Sequence, residues 1–256
     1  MWRDEAEQPF ARGYSNGDRH RIAWPDLGLF EFGPGSLVVD AWLDDGASEA
    51  QARDAIARVL QPVILQALGW QALHASALAL SDGVVALCGR SGSGKSTLAY
   101  ALAQRGIRQF ADDAVLLDVS SSEVTARPLP FRPRLRAPAT DHFRSPSRRE
   151  APDRRTAARL RAVIVLSQQA GLASPRAESV PAVPAFSALL THAHCFDPAP
   201  GPGSAKLVED LLAVARLVPV TRLDYPPDVA RLDETLDAVL GVMPGGRPAS
   251  AIGVAP

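Results

Sequence analysis

The sequence predicts an α/β domain over residues 70–242, preceded by a small β-rich subdomain with one helix at 1–69 and followed by a flexible Gly/Pro/Ala-rich tail at 243–256. Three observations predict it. An apolar run, Val84–Cys88, leads directly into GRSGSGKST (Gly89–Thr97) and on into an amphipathic helix. Beyond residue 70, apolar strand patterns alternate with helical ones, the mark of a sheet covered by helices. Before residue 69, short β-rich runs are cut by Pro and Gly turns and followed by one helical pattern.

Residues 1–20 are polar and without period, and read as a loose terminus. Arg21–Trp24, Leu27–Phe32 and Ser36–Leu43 read as strands separated by Pro25-Asp26 and Gly33-Pro34-Gly35 turns. Ser48 and Gln51 form a capping box, and Ala52, Ala55, Ile56, Val59 and Leu60 recur at helical spacing. Pro62 should kink or restart that helix and Gly69 should stop it. Gln71–Leu80 and Val84–Cys88 flank the Ser81-Asp82-Gly83 turn as paired strands, and Lys95–Arg105 is a helix ended by Gly106. Ile107–Phe110 and Ala114–Val119 read as strands on either side of Asp112-Asp113, with a serine turn leading into Glu123–Arg127.

From Arg127 to Arg159 ten arginines and six prolines fall without a stable period, which predicts a long basic loop. After it come a buried strand, Leu160–Leu166, helices at Val183–His194 and Ser204–Leu217, a strand at Val218–Leu223, and a helix at Pro226–Leu240 with proline at its start.

Composition narrows the function classes. The chain has 256 residues, 46% hydrophobic and 21% charged, which is ordinary globular usage. A net charge of -1 gives no bias toward nucleic acid or anionic membrane. The start, MWRDEAEQPF, lacks the basic and apolar regions of a secretory signal, and no run approaches the roughly 18 apolar residues of a spanning helix. Two cysteines cannot build a disulfide framework. The expectation is a cytoplasmic chain with neither nucleic acid nor membrane as partner. Of 27 Lys and Arg residues only two are lysine, Lys95 and Lys206. A chain that uses arginine for generic positive charge has not placed lysine at 95 as filler.

Gly89, Gly94, Lys95 and Ser96 satisfy the spacing of a phosphate-binding loop, G-x-x-x-x-G-K-[ST]. Glycines let successive backbone N–H groups converge on phosphate oxygens, and the helix that follows adds its positive dipole end. The loop residues Gly89, Ser91, Gly92, Ser93, Gly94, Lys95, Ser96 and Thr97 are therefore the expected seat of ATP. Lys95 is expected to reach the β- and γ-phosphates, and the Ser96 hydroxyl to hold Mg²⁺. Such a loop serves kinases, hydrolases and switches alike.

The acid that completes a site of this kind has two candidates. Asp118 ends an apolar run but also suits the lead into a serine turn. Asp112-Asp113, in the apolar setting Phe110-Ala111, is better placed. Two adjacent carboxylates can divide labour, one contacting Mg²⁺ and the other taking a proton from an attacking hydroxyl. The basic loop, with Arg132, Arg134, Arg136, Arg148 and Arg149, either closes over phosphate or is a solvated segment of an arginine-rich chain. His142, His192, His194 and Cys195 show no convincing metal spacing.

LHASALAL (Leu73–Leu80), GRSGSGKSTLAYALAQRG (Gly89–Gly106) and FADDAVLL (Phe110–Leu117) resemble the HPr kinase/phosphorylase-like kinases. That group includes short relatives from lasso-peptide and other peptide-modification gene clusters. The resemblance implies a P-loop kinase fold of the HPr kinase/PEP carboxykinase type, using ATP and Mg²⁺ to phosphorylate a serine of a peptide or small protein, as a homo-oligomer. It implies Asp112 as general base with His74 orienting it, Lys95 on the phosphates, and Ser96 and Asp113 at Mg²⁺. Bifunctional members have a separate N-terminal domain and a later signature absent here, so the short peptide-modifying relatives are the better match. A hydrolase or switch without kinase activity, or a small-molecule kinase, is the alternative.

Overall fold

The computed structural model describes residues 2–3, 9–16, 19–33, 38–129, 156–196 and 201–245. The chain forms two compact units, Met1–Ala72 with Ala193–Glu209, and Leu73–His192 with Asp210–Pro256. The return of residues 193–209 to the first unit is not signalled by any local pattern.

The first unit carries an antiparallel sheet whose strands follow sequence order: β1 (Trp2–Arg3), β2 (Pro9–Asn16), β3 (Arg19–Trp24), β4 (Gly28–Phe32) and β5 (Asp40–Leu43). The first twenty residues, expected to be loose, thus contribute two strands. Their pairing is what holds them, since β2 runs in register with β3 from Arg12↔Ala23 to Asn16↔Arg19. The sheet's inner face buries Ala11, Ile22, Phe30 and Phe32, while Arg12, Tyr14 and Asn16 face out and dilute the apolar signal of β2. The capping box forms as expected, with the Gln51 N–H donating to Ser48 Oγ at 3.3 Å and the Ser48 N–H to Gln51 Oε1 at 2.8 Å. Helix α1 (Glu49–Ala55) passes through one π-helical turn, Ile56–Leu60, and restarts as α2 (Gln61–Ala67), with Pro62 in the first turn, where no N–H is needed. From the returning segment, the Phe196 N–H donates to the buried Gln66 Oε1 at 2.6 Å, and its ring meets Phe32 edge-on.

The second unit is a mixed α/β structure. At its centre three parallel strands lie side by side: β8 (Gly83–Cys88), β12 (Ala158–Gln168) and β14 (Val220–Tyr225). Antiparallel β7 (Ala75–Leu80) and β9 (Gln109–Ala111) extend one side, and β13 (Arg176–Val180) pairs with β14 on the other. The sheet continues through β11 (Val124–Pro128) and β10 (Val115–Val119) to β6 (Gln71–Leu73). All of β8 is buried, because it lies between two strands with a covered face. Helix α3 (Lys95–Gln104) lays Leu98, Ala99 and Leu102 on Leu87 and Ile164, and α6 (Leu232–Val242) adds Leu236 and Val239 to the same cluster. Helix α4 (Ala182–Thr191) belongs to this unit, and α5 (Pro202–Leu217) begins in the segment assigned to the first unit and ends in the second. Among the described residues, no helix is long and apolar enough to cross a membrane.

Several boundaries differ from expectation. The strand expected over 71–80 breaks at His74, which separates β6 from β7. The helix expected to reach His194 ends at Thr191. The helix expected from Pro226 begins only at Leu232, after a 3-10 turn at Val229–Arg231 that the Asp228 side chain caps. Strand β13 was not foreseen, since most of its residues are exposed and carry no alternation. Arg127 and Arg159 belong to β11 and β12, while Arg132, Arg134, Arg136, His142, Arg148 and Arg149 lie outside the described residues. Met243, placed in the tail by sequence, is buried in the core cluster.

Candidate active site

The parallel centre of the sheet decides where the site sits. Strand β8 ends at Cys88, and the chain turns over the sheet's edge as Gly89–Gly94 before α3 begins. Gly94 caps that helix with φ 79, a left-handed conformation that glycine adopts without cost. A Cβ on Gly89 would lie 2.4 Å from Ser93 Oγ and 3.0 Å from Leu166 O, so the turn closes only around a bare Cα. The loop is also tied from outside. The buried Tyr225 hydroxyl, at the end of β14, donates to Ser93 O, and Gln168, at the end of β12, hydrogen-bonds Tyr225. Burial pushes the Tyr225 phenol up to about 12, so it remains a proton donor at neutral pH.

Lys95 is buried, 7% exposed, and its Nζ donates to Gly89 O at 2.8 Å and Arg90 O at 3.1 Å. One residue on, Ser96 Oγ donates to Asp112 Oδ1 at 2.9 Å. The same carboxylate oxygen accepts from Ser76 Oγ at 2.5 Å. Asp112 is only 4% exposed, and burial pushes its carboxyl above the ordinary carboxylate range. The Ser76 and Ser96 hydroxyls pull it back down, while the negative charge of Asp113 raises it.

Asp113 is different in kind. It is exposed, has φ 65, and sits at the centre of a tight turn in which the Ala114 N–H donates to Asp112 O at 2.8 Å. Positive φ is uncommon outside glycine, and such backbone strain concentrates at functional sites. His74 Nδ1 donates to Asp113 O at 2.9 Å. This hydrogen bond links His74 to the backbone of the second aspartate, whereas the resemblance implies that His74 orients the first.

A cavity of about 510 Å³ opens over these groups. His74, Asp113, Ser91, Gly92, Gly94, Lys95, Ser96 and Thr97 line it; Gly89 and Ser93 form the turn beneath, and Asp112 stands behind the wall. The far half is Leu98, Gln168, Tyr225, Pro226, Pro227, Asp228, Val229, Leu232 and Thr235. Asp118, the other acid candidate, faces solvent on β10, 3.4 Å from Arg127.

Sequence reasoning missed three residues here, Ser76, Gln168 and Tyr225, and weighed His192 only as a metal ligand. Ser76 alone left a signal, a hydroxyl inside the apolar run ASALAL. His192 O accepts from the His74 N–H at 2.7 Å, and burial, with the charges of Lys95 and His74, pushes the His192 imidazole down to about 4. An unfolded histidine titrates near 6.5, so from there down to about 4 the unfolded chain binds the extra proton. Stability linked to His192 is therefore complete above pH 6.5 and declines as pH falls through that window. Thermal melts from pH 7 to 4.5 should show His192→Leu losing less stability than the parent, by on the order of 1–3 kcal/mol. Parallel pH dependences in the two proteins would remove His192 as the cause.

No family model matches the chain, and no curated protein matches it. Among solved structures it is similar to the Hpr(Ser) kinase/phosphatase from Coxiella burnetii, at 16% identity over 66% of this chain and 88% of that one, with a TM-score of 0.35. A likeness of that size carries no conclusion about activity.

Proposed function

We propose that the chain is an ATP-dependent kinase that transfers the γ-phosphoryl group to a serine hydroxyl of a peptide or small protein, lasso-type precursor peptides being the substrate class its sequence resemblance favours. One observation carries this reading. The loop hydroxyl of Ser96 is bonded to the buried carboxylate of Asp112, while the exposed Asp113 and His74 line the same cavity. A hydrolase needs only water at that wall; a kinase needs an open carboxylate that a second substrate can approach.

The residues fit both ATP and Mg²⁺. The glycine turn tolerates no Cβ at position 89, as a backbone cradle for phosphate requires. Ser96 and Asp112 offer the hard oxygen donors that Mg²⁺ takes. When bound, the metal would neutralise charge on the β- and γ-phosphate oxygens. The loop N–H groups and Lys95 hold the phosphates, and Tyr225 and Gln168 keep the loop in shape from the adjoining strand ends.

For the aspartates, burial favours the reverse of the division that the resemblance implies. Asp112 is enclosed and already engaged by Ser96, which suits organising the metal. Asp113 is open to the cavity, which suits accepting the acceptor hydroxyl's proton. His74 fixes the turn that presents it.

The direct test is γ-labelled ATP and Mg²⁺ with serine-containing peptides, followed by mass spectrometry. Label on a peptide serine is the expected result. Phosphate release that peptides leave unchanged would replace the kinase reading with a hydrolase, and label on a small molecule would redirect the substrate class.

A pH profile adds an independent check. Asp112 must be ionised to serve the metal, so kcat/KM should fall as pH drops through its carboxyl pKa, which burial holds above 3.8. Ser76→Ala removes a hydrogen bond that lowers this pKa. Its acid limb should therefore lie at higher pH than the parent's. An unmoved limb would mean that Asp112 does not govern it.

A further inference from the structure

The phosphate loop accounts for only half of the cavity. The other half begins at Leu98, one residue past Thr97, and is closed by Pro226, Pro227, Val229, Leu232 and Thr235. This lining is mostly apolar, with Gln168, Asp228 and Thr235 as its polar groups, in contrast to the loop, aspartate and histidine at the opposite end. It is also fixed. Tyr225 is pinned to the loop, the Asp228 carboxylate accepts from the Ala230 N–H at 2.9 Å and caps the 3-10 turn, and the Arg231 guanidinium donates to Leu172 O at 3.0 Å. Leu232 then packs against the core cluster that contains Leu98 and Leu236.

We propose that this half of the cavity, from Pro226 to Thr235 across from Leu98, is the seat of the nucleobase and ribose of a purine nucleoside triphosphate. The proposal rests on the phosphate-loop reading and extends it to a part of the chain that no motif marks. Three features support it. Thr97 and Leu98 follow the loop on the first turn of α3, so a chain of phosphates held by Gly94–Ser96 has this wall beside it. The total volume, about 510 Å³, lies within the roughly 300–1,000 Å³ of small-molecule sites. The walls are mostly apolar, and Pro226 and Pro227 contribute no N–H, so the ring is held chiefly by apolar surface, with Gln168, Asp228 and Thr235 as the polar groups in the same lining.

The test separates base from phosphates. Binding of ATP and of inorganic tripolyphosphate, each with Mg²⁺, is measured on the whole chain and on Val229→Trp, which fills the seat from a half-buried position. The parent should bind ATP at least about tenfold more tightly than tripolyphosphate. Val229→Trp should erase that advantage while binding tripolyphosphate as the parent does, which also shows that the variant is folded. ATP and tripolyphosphate binding equally to the parent, or an ATP advantage that survives Val229→Trp, would overturn the proposal. Should the parent bind neither ligand, the phosphate-loop reading itself fails.

Discussion

Asp113→Asn is expected to lower kcat by about 10²- to 10⁴-fold, the usual contribution of a positioned general base, with ATP affinity nearly unchanged. The expectation follows from exposure. Asp113 is exposed, lines the cavity and sits on a left-handed turn, while Asp112 is buried. An amide keeps the size and the turn-forming tendency, since asparagine tolerates positive φ, but cannot take a proton. Asp112→Asn should behave differently. It leaves Ser96 bonded to a neutral oxygen, so nucleotide binding should weaken where Mg²⁺ is needed and recover in part as Mg²⁺ is raised. Steady-state kinetics over a range of Mg²⁺ concentrations distinguish the two. If instead Asp112→Asn abolishes turnover at full nucleotide affinity and Asp113→Asn shows the metal dependence, the assignment is reversed and the resemblance was the better guide.

What the sequence made legible follows from how local each signal is. The phosphate loop is a contiguous pattern between an apolar strand and a helix, and the strand, turn and helix appear where the pattern put them. The capping box is equally local, with Ser48 and Gln51 three residues apart. The partners of Asp112 were not legible, because Ser76 and Ser96 reach it from 36 and 16 residues away. Tyr225 meets the loop from 132 residues away, at the end of a strand whose position is set by sheet pairing. Strands β1 and β2 were missed for the same reason. Paired antiparallel residues need only one buried face, and Arg12, Tyr14 and Asn16 on the other face of β2 hide the pattern. The far half of the cavity had no signal at all, since two prolines before an apolar helix read as a helix start. In the structure they link the end of β14 to a capped 3-10 turn.

Lys95→Arg is expected to be nearly as damaging as Lys95→Met, each lowering kcat/KM for ATP by about 10²- to 10³-fold, the scale of removing one oriented electrostatic contact. Charge alone would predict otherwise, since arginine keeps it. The position argues against charge alone. The ammonium is 7% exposed and is held by Gly89 O and Arg90 O, so the loop folds around a compact head with three donors on a tetrahedral centre. A guanidinium is planar and wider, and its fork cannot satisfy both carbonyls without opening the turn. Opening is resisted at Gly89, beside which there is no room even for a Cβ between Ser93 Oγ and Leu166 O, and at Ser93, which Tyr225 pins. The arginine variant should therefore fold, since its core contacts are untouched, yet bind phosphate poorly. Thermal melting and ATP titration of the three proteins check both halves. An arginine variant within about threefold of the parent would show that a positive charge suffices there. Lysine stands at this site in a chain that otherwise prefers arginine because the enclosure selects shape as well as charge.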